Sequence, residues 1–484
     1  MKILFVTSEA YPFIKTGGLG DVCGALPVAL RKRGIDARLL LPAYPAAMSR
    51  ARLTGETIPM GNILGVGETR LLGAFEPESG CPVWLVDCPP MFERSGGPYM
   101  MYPGQDWPDN FYRFGLLSKV AATIGTAGHL MDWRPDVIHC HDWQTGFVPA
   151  YLRAWGVSDP PVVFTIHNLH YMGLFGQDVL KLLGLPESMW NLYGLAHHGL
   201  VSALKAGIQY SRIVTTVSPT YAWEICTPLG GLGLDVFLRE RGDDIRGILN
   251  GIDPVVWNPE NDPYIVAPID PESPEQGKAL NKAEVQRSMG LDMDPDRPLF
   301  GLISRLVDQK GIDFLLGAVH HLVAQGGSLA VLGAGEPWLE AGLNQAAASY
   351  PGKVSIHVGY SEELAHRIEA GADFLLVPSR FEPCGLTQLY ALRYGTVPIV
   401  RNTGGLADSV VPITHKTGGT GIVFDHALTD ALEWAIDQAI SLYSDKSRLH
   451  DIRKRGMACD FSWDASAKDY IRIYESLVTE PSGT

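Results

Sequence analysis

The sequence has no excess of positive charge and no long apolar run. Its 484 residues include 39 Lys and Arg against 53 Asp and Glu, which gives a net charge of −14. Nucleic-acid binding generally needs a basic face, because contacts with phosphates supply most of the affinity, so we predict no nucleic-acid partner. No apolar run approaches the roughly 18 residues of a membrane-spanning helix, so we predict no membrane partner.

Cysteine pairs and targeting signals are missing as well. The seven cysteines are odd in number, are scattered along the chain and form no C-x-x-C motif, a pattern that favours free thiols in a reducing compartment. The apolar residues at the N-terminus end at Val6, short of the about 7–15 apolar residues of a signal peptide. These features predict a cytoplasmic protein and leave its oligomeric state open.

Short apolar runs alternate with longer helical patterns in the first half of the chain. Such runs, bounded by Gly, Pro, Asp and His, predict buried parallel strands at Ile3–Val6, Arg38–Leu41, Val83–Val86, Val137–His139 and Val162–Ile166. Amphipathic segments predict helices at Asp21–Arg33, Tyr112–Ile124 and Leu200–Ile208. This alternation predicts an α/β fold with a doubly wound sheet.

The alternation is interrupted once and then resumes. Six prolines fall between Pro254 and Pro274, which indicates a linker or an irregular excursion. Further strands are predicted at Leu299–Ile303, Leu329–Leu332, Val354–Val358, Phe374–Val377 and Val397–Val400, with helices such as Ile312–Val323 and Glu362–Ala370. The chain exceeds the roughly 250–300 residues that one core usually supports, so we predict two Rossmann-like domains, residues 1–253 and 254–460. A last helical pattern, Ala465–Leu477, lies in residues 461–484 and could belong to either domain.

The ligand sites of doubly wound domains lie at the carboxyl ends of strands, and two domains that face each other would share one interdomain cleft. The first strand is followed by Lys15-Thr16-Gly17-Gly18-Leu19-Gly20-Asp21, which leads into a helix. Glycines there let the backbone approach a ligand, and a helix N-terminus favours negative charge. The spacing matches neither the dinucleotide fingerprint nor the P-loop, and an ordinary glycine-rich turn with a solvated lysine is an equal alternative.

A second strand ends in His139-Cys140-His141-Asp142-Trp143. Alternate residues of a strand point to opposite faces, so the two histidines point away from the cysteine and metal ligation is disfavoured. Asp142 is a candidate acceptor for sugar hydroxyl groups. The alternative is that its side chain caps the helix that follows.

Two more pairs of polar residues follow predicted strands. His167 and Asn168 come after Val162–Ile166. A lone histidine is more often structural than catalytic, but the position of His167 at the rim of the predicted cleft, beside Asn168, leaves the structural and functional interpretations equal. Arg305 and Lys310 lie five residues apart in a strand-to-helix loop. Arg can fork onto phosphate oxygens while Lys acts as a point charge, so the second pair suits a diphosphate group, unless both are ordinary surface cations.

The segment Phe381-Glu382-Pro383-Cys384-Gly385-Leu386-Thr387 also follows a strand and opens a helix. Free backbone N–H groups around Gly385–Thr387 would suit phosphate oxygens. Because a carboxylate repels phosphates, Glu382 is expected to contact a sugar hydroxyl or a developing cation. Cys384 is either part of this site or a small buried hydrophobic residue, as is usual for a free cysteine.

These segments together resemble the motifs of bacterial glycogen synthases and plant starch synthases. The matching motifs occur in the family's order and span nearly the whole chain: Lys15–Asp21, Ile166–Asn168, Leu249–Asp253, Ser304–Gly311 and Glu382–Leu406. The resemblance implies a GT-B fold and a retaining glucosyltransferase that moves glucose from ADP-glucose to an α-1,4-glucan such as glycogen. It also implies that neither a metal nor another cofactor takes part, and that the final helix crosses back to the first domain.

The resemblance implies a role for each matching residue. Catalytic residues would be Glu382, His167, Arg305 and Lys310, of which the last two hold the diphosphate. Substrate contacts would come from Lys15, Gly17, Gly18, Asp21, Asp142, Asn168, Asn250, Tyr360, Cys384, Gly385, Leu386, Thr387 and Tyr390. Within that set Asp142 and Asn250 surround the glucose and Tyr360 contacts the adenine ring.

One position departs from the wider group of retaining GT-B enzymes, many of which carry a second glutamate eight residues after the first. Here that position is Tyr390, as is common in enzymes of the ADP-glucose type, and the contact with the ribose stays open. The alternatives are a GT-B transferase with UDP-glucose or another acceptor, a sugar phosphorylase, whose pyridoxal phosphate lysine cannot be identified, and a non-catalytic glucan-binding protein.

Overall fold

The computed structural model describes residues 1–126, 131–416 and 418–479. The chain forms two compact units. Unit 1 comprises Met1–Val217, Ala222–Gly251 and a last segment that begins at Trp463, and unit 2 comprises Ser218–Tyr221 and Ile252–Ser462. Within the described ranges, no helix is both long enough and apolar enough to cross a membrane.

Unit 1 is built on a nine-stranded sheet. In spatial order its strands are Ile245–Gly247, Ile213–Thr216, Val162–Ile166, Val137–His141, Lys2–Val6, Asp36–Pro42, Pro82–Asp87, Glu68–Phe75 and Arg52–Asn62. All five strands predicted in this part of the sequence are present. Each of the five has at least four fully buried positions or a buried central run, as expected for strands covered by helices on both faces.

One edge of this sheet is antiparallel, which the sequence interpretation missed. Pro82–Asp87 pairs parallel with Asp36–Pro42 but antiparallel with Glu68–Phe75, and Arg52–Asn62 then continues the antiparallel pairing. The prediction of a purely parallel strand at Val83–Val86 is therefore wrong on one side. The connection from Phe75 to Pro82 is too short for the crossover of a dozen or more residues that parallel pairing requires.

The helices of unit 1 flank the sheet. They are Gly18–Lys32, Pro45–Arg50, Pro89–Phe92, Asn110–Thr126, Phe147–Ala154, Val179–Leu183, Ala203–Tyr210, Asp235–Glu240 and Trp463–Thr479, while Pro219–Glu224 begins in unit 2. The helix predicted from Leu200 instead begins at Ala203, because Leu200–Ser202 is a short strand. Ser202 ends that strand and caps the helix, since its side chain accepts a hydrogen bond from the backbone N–H of Lys205.

Unit 2 has a six-stranded parallel sheet with the strand order of a nucleotide-binding fold. Its strands, in spatial order, are Val354–Val358, Ser328–Gly333, Leu299–Ile303, Phe374–Val377, Val397–Arg401 and Ile422–Phe424. Numbered along the chain, this is the order 3-2-1-4-5-6 of doubly wound folds. The helices are Pro274–Ser288, Ile312–Ala324, Pro337–Ser349, Glu362–Gly371, Thr387–Arg393, Gly404–Ser409, Thr429–Ser444 and Lys446–Met457. The predicted fold class is thus confirmed in both units.

The proline-rich segment before Pro274 has no helix or long strand, yet it packs on unit 2. The indole of Trp257 lies between the rings of His366 and Tyr390, with ring centroids 3.8 and 3.6 Å away and nearly parallel planes. Farther along, the carboxylate of Asp262 accepts hydrogen bonds from His366 and from the hydroxyl of Tyr394. The segment is therefore an irregular but ordered layer of unit 2.

Candidate functional site

Each unit places several of its candidate residues at the point where the strand order of its sheet reverses. In unit 1, Lys2–Val6 lies beside Val137–His141, and the chain leaves these two strands toward the glycine-rich turn and Asp142, respectively. In unit 2, Leu299–Ile303 lies beside Phe374–Val377, and these strands lead to Arg305 and Glu382. Such switch points are where doubly wound sheets bind ligands. Each unit therefore carries a candidate site of its own at its switch point.

The glycine-rich turn of unit 1 is occupied by a carboxylate of the same unit. The buried side chain of Glu9 accepts hydrogen bonds from the backbone N–H groups of Thr16 and Gly17 and from the Thr16 hydroxyl, the last at 2.6 Å. The hydroxyl of Tyr99 also donates to Glu9. The backbone donors at Thr16 and Gly17 are thus already used, and a ligand anion would have to meet another part of the turn.

Lys15 is paired within the turn as well. Its ammonium group lies 2.7 Å from the carboxylate of Asp21, and both side chains are partly exposed. Gly18 has open space where a Cβ atom would be, as has Gly17. Lys15 is therefore paired with Asp21, and a ligand can still approach the backbone of Gly17 and Gly18.

Asp142 has an unusual backbone for a residue other than glycine, with φ +56° and ψ −177°. Its side chain does not cap the following helix, so that alternative is wrong. Instead the buried carboxylate accepts hydrogen bonds from the backbone N–H groups of His167, at 2.7 Å, and Asn168. Burial raises the pKa of Asp142 to about 7, although these two hydrogen bonds oppose the shift.

His167 belongs to a buried row of histidines. Its Nε2 lies 3.0 Å from Nδ1 of His141, and the ring of His141 lies 4.2 Å from the ring of His139. His139 contacts the hydroxyls of Thr165 and Tyr474, at 2.6 and 2.7 Å. Burial lowers the pKa of all three histidines, that of His167 to about 3. The three rings are therefore neutral at physiological pH.

Two asparagines complete the unit 1 candidates. The side-chain oxygen of Asn168 accepts a hydrogen bond from the backbone N–H of His170 at 3.1 Å. Asn250 follows the outermost strand, Ile245–Gly247, and is 6% exposed. Its side-chain oxygen is buried without a hydrogen-bond partner in the part of the chain that the structure describes. A buried acceptor of this kind usually signals a missing partner such as a ligand or water.

In unit 2, Lys310 and Glu382 form a partly buried ion pair. The Lys310 ammonium donates to the Glu382 carboxylate, which also accepts from the hydroxyl of Ser379 at 2.9 Å. Glu382 is 6% exposed. The contact of Glu382 with a cation of the protein itself was not foreseen, since a sugar hydroxyl or a developing charge was expected. A charge without a partner at this position would lower the stability of the fold, so Lys310 and Glu382 stabilise each other.

Arg305 differs from the arginines around it. Its side chain is exposed and forms no ion pair with any described residue. Nearby Arg380, in contrast, forms a two-pronged ion pair with Asp313 and stacks on the ring of Phe314, 4.2 Å away. Arg305 is therefore a cation at the switch point that remains available to a ligand.

The turn after Glu382 is held close to a second glycine-containing turn. The backbone N–H of Gly405 donates to the carbonyl of Glu382 at 3.1 Å, and a Cβ atom at Gly404 would lie 1.9 Å from that same carbonyl. Cys384 is buried in this contact. The backbone N–H groups of Gly385–Thr387 find no acceptor among the described residues. These N–H groups are therefore available to an acceptor on a ligand.

Tyr360 and Tyr390 belong to different segments of unit 2. Tyr360 follows the edge strand Val354–Val358, is 80% exposed, and donates its hydroxyl to Glu362. Tyr390 is half-buried with its ring against Trp257. The structure therefore brings together Arg305, Lys310, Glu382 and Gly385–Thr387, and leaves Tyr360 on a separate, more exposed turn.

The sequence analysis missed several residues that contact the candidate residues of the two units. Glu9 and Tyr99 hold the glycine-rich turn, Ser379 holds Glu382, and His141 contacts His167. Glu9 could have been found, because it is an acidic residue directly after a buried strand. Tyr99 lies in a segment with no strand or helix pattern, and nothing in the sequence points to it. In the described ranges, no group of three or more His, Cys, Asp and Glu residues could hold a metal ion.

The chain is similar to known proteins along nearly its whole length. Residues 2–240 match the family described as "Starch synthase catalytic domain", and residues 289–457 match "Glycosyl transferases group 1". The glycogen synthase of Rhodospirillum rubrum is 65% identical over 99% of both chains, and that of Paramagnetospirillum magneticum is 47% identical over 100% of this chain and 99% of its own.

A solved structure extends the likeness to three dimensions. The catalytic domain of starch synthase IV from Arabidopsis thaliana, bound to ADP and acarbose, is 32% identical, with a TM-score of 0.87 and coverage of 99% of both chains. This likeness confirms the predicted GT-B fold class. With candidate residues at both switch points, two family matches and a relative at 65% identity over 99% of the chain, the protein belongs to the glycogen synthase family.

Proposed function

We propose that the protein is a glycogen synthase that transfers glucose from ADP-glucose to the non-reducing end of an α-1,4-glucan, with retention of the anomeric configuration. The observation that carries the proposal is the arrangement at the switch point of unit 2. There an available arginine, a lysine paired with a buried glutamate, and unused backbone N–H groups lie around one strand end. The full-length identity of 65% with a glycogen synthase supports the same activity.

The proposed chemistry breaks the bond between C1 of glucose and the diphosphate. A new bond forms between C1 and the 4-hydroxyl oxygen of the acceptor, and the proton of that hydroxyl passes to the leaving diphosphate. Negative charge then builds on the leaving ADP, and positive charge builds on the sugar. Arg305 and Lys310 neutralise the diphosphate, and the N–H groups of Gly385–Thr387 donate to its oxygens. Preorganised donors of this kind contribute about 10²–10³ each to the rate. No metal ion is needed for this role, because the protein supplies the cations itself.

Glu382 has two tasks in this proposal. Before the donor binds, its carboxylate neutralises Lys310 in a place with little water. When the sugar–phosphate bond breaks, the same negative charge stabilises the cationic sugar ring. Ser379 keeps the carboxylate in one orientation through a 2.9 Å hydrogen bond, so little reorganisation is required during the reaction.

The unit 1 residues contribute sugar contacts. Asp142 supplies a carboxylate, Asn250 supplies a buried oxygen that lacks a partner among the described residues, and His167 supplies an imidazole. Retention requires either two displacements or attack on the same face from which ADP departs. Neither candidate carboxylate is unpaired and available as a nucleophile. Glu382 is paired with Lys310, and Asp142 accepts two backbone hydrogen bonds. We therefore favour same-face attack.

The test compares nucleotide release from ADP-glucose and UDP-glucose, each with and without glycogen. Glycogen-dependent release of ADP, with little release of UDP, is the expected result. It would also agree with a contact between Tyr360 and adenine, since that exposed ring is a ready stacking surface. A preference for UDP-glucose would overturn the donor, and no release from either would overturn the activity.

A further inference from the structure

The contact between the rings of His141 and His167 limits which ring nitrogens can carry a proton. Nδ1 of His141 and Nε2 of His167 are 3.0 Å apart, so one atom donates a proton and the other accepts it. His141 is fully buried and His167 is 9% exposed. Burial holds the pKa of both rings well below the ordinary histidine range. Each ring therefore carries a single proton, and only two arrangements are possible.

The surroundings of His141 distinguish between the two arrangements. Its other nitrogen, Nε2, is buried and has no hydrogen-bond partner in the described ranges. If His141 accepted from His167, its own proton would sit on Nε2 as a buried N–H without an acceptor. Buried N–H groups without acceptors are rare, because such a group loses its hydrogen bonds to water and gains none in return. If His141 donates, Nε2 is only an unfilled acceptor, which proteins tolerate more often.

We infer that His141 is a positioning residue that donates its Nδ1 proton to Nε2 of His167 and thereby fixes the proton of His167 on Nδ1. This inference rests on the proposed role of His167 in sugar binding. Nδ1 of His167 has no hydrogen-bond partner among the described residues. It is also not among the fully buried atoms that lack a partner, so a ligand can reach it. His167 then presents a fixed N–H donor to the ligand and does not present a basic nitrogen. Such a donor suits an oxygen of a sugar or phosphate.

The ring of His141 is held against rotation. It stacks on the ring of Phe5, 5.5 Å away with planes only 16° apart, and its centroid lies 4.2 Å from that of His139, which also contacts Phe5. His139 is held in turn by Thr165 and by Tyr474 of the helix Trp463–Thr479. A flip that exchanged Nδ1 and Nε2 of His141 would break the contact with His167. The row thus fixes the orientation as well as the proton.

The first test needs no substrate. Protein labelled with ¹⁵N-histidine is studied by long-range ¹H–¹⁵N correlation, and the His167 signals are identified by their loss in His167→Asn. We expect a neutral His167 with its proton on Nδ1. A proton on Nε2, or a charged ring, would overturn the inference even if glycogen-dependent ADP release were normal. The test can likewise succeed if the proposed activity fails.

The second test uses two variants of one position. The side-chain amide of His141→Asn places an N–H near the position of Nδ1, whereas His141→Leu has no donor. We expect His141→Leu to lower kcat at least about 10-fold, with a smaller change in the KM for ADP-glucose, and His141→Asn to recover most of the loss. Equal loss of kcat in both variants would contradict a hydrogen-bonding role. If His141→Leu does not fold, the spectrum of the wild-type protein still decides the question.

Discussion

At the scale of single residues, Asp142 combines backbone strain with an unfavourable charge. Its φ of +56° and ψ of −177° lie in a region almost restricted to glycine, at a cost on the order of 1–3 kcal/mol. Its carboxylate is buried against two backbone N–H groups. A glycine would relieve the strain and remove the charge, so stability alone does not explain the aspartate. Strain of this kind is concentrated at functional sites.

The pKa of Asp142 leads to a prediction about stability. Because burial raises this pKa from 3.8 to about 7, the folded state holds a proton that the unfolded state has lost between these two values. The contribution of Asp142 to stability therefore falls as the pH rises from about 4 through 7. Asp142→Asn keeps the shape and cannot ionise. Its free energy of unfolding, relative to wild type, should rise by on the order of 2–3 kcal/mol between pH 5 and pH 8.

Chemical denaturation at the two pH values measures this change. Comparison with wild type at each pH cancels the titration of other groups. An unchanged difference between the variant and wild type would mean that the pKa of Asp142 is ordinary. The same variant should lose activity at both pH values if the carboxylate contacts the sugar.

The pair formed by Lys310 and Glu382 predicts non-additive effects on catalysis. Glu382→Ala should lower kcat by at least about 10²-fold with the fold intact, and Lys310→Ala should weaken both donor binding and turnover. Because Lys310 is partly buried and Glu382 is buried in this pair, removal of one charge leaves its partner uncompensated. The double variant should therefore lose less than the product of the two single losses.

Steady-state kinetics of the four proteins in this cycle test the coupling. Lys416→Ala, at an exposed lysine of the same unit, serves as the control and should behave as wild type. Near-normal turnover of Glu382→Ala would remove its proposed role. Strict multiplication of the two losses would show that the pair acts as two independent groups.

At the scale of elements, the segment between Gly251 and Pro274 shows how a stretch without regular structure becomes part of a core. Trp257 is 8% exposed between two aromatic rings, and Asp262 links His366 of the helix Glu362–Gly371 to Tyr394, the residue that follows the helix Thr387–Arg393. Prolines limit the freedom of the unfolded chain, which lowers the entropic cost of ordering such a segment. Buried aromatic side chains then supply the stabilisation that backbone hydrogen bonds do not.

This packing predicts a large effect of a single substitution. Trp257→Ala removes a buried ring from a stack of three and should lower the free energy of unfolding by about 3–5 kcal/mol. Trp434→Ala in the same unit removes a tryptophan that is 48% exposed and should cost clearly less. Urea denaturation of both variants provides the comparison, and equal losses would mean that the stack contributes nothing beyond an ordinary surface ring.

At the scale of the whole molecule, ligand binding should appear as a change in stability. A ligand that binds only the folded protein stabilises it by about 2.7 kcal/mol at one hundred times its Kd. ADP should therefore raise the Tm of the full chain more than UDP does at the same concentration. The increase should be smaller for Arg305→Ala, since Arg305 forms no ion pair with a described residue and is available to phosphate.

A thermal-shift titration with ADP, UDP and inorganic phosphate measures these differences. Arg448→Ala is a suitable control, because Arg448 contacts the carbonyl of Ile413 on another part of unit 2. An equal response of the Arg305→Ala and Arg448→Ala proteins to ADP would contradict a contact between Arg305 and the diphosphate.

Local sequence patterns determined the elements and the family of this protein. Apolar runs and helical periods located the strands at the core of both sheets, because burial of alternate or successive residues is a local property of the chain. Helix ends were less well determined, as at Leu200, where one serine cap moves the start to Ala203. Glycines and charged residues after strands marked both switch points, and their order along the chain led to the correct family.

Tertiary structure alone decided which groups meet. Glu9 and Tyr99 are 90 residues apart, Lys310 and Glu382 are 72 apart, and His141 and His167 are 26 apart. These contacts depend on which strands become neighbours and in what register, and the hydrophobic pattern of one segment does not contain that information. The sequence could therefore nominate Lys15 and Glu382 as charged candidates, whereas only the fold could show that Asp21 and Lys310 neutralise them.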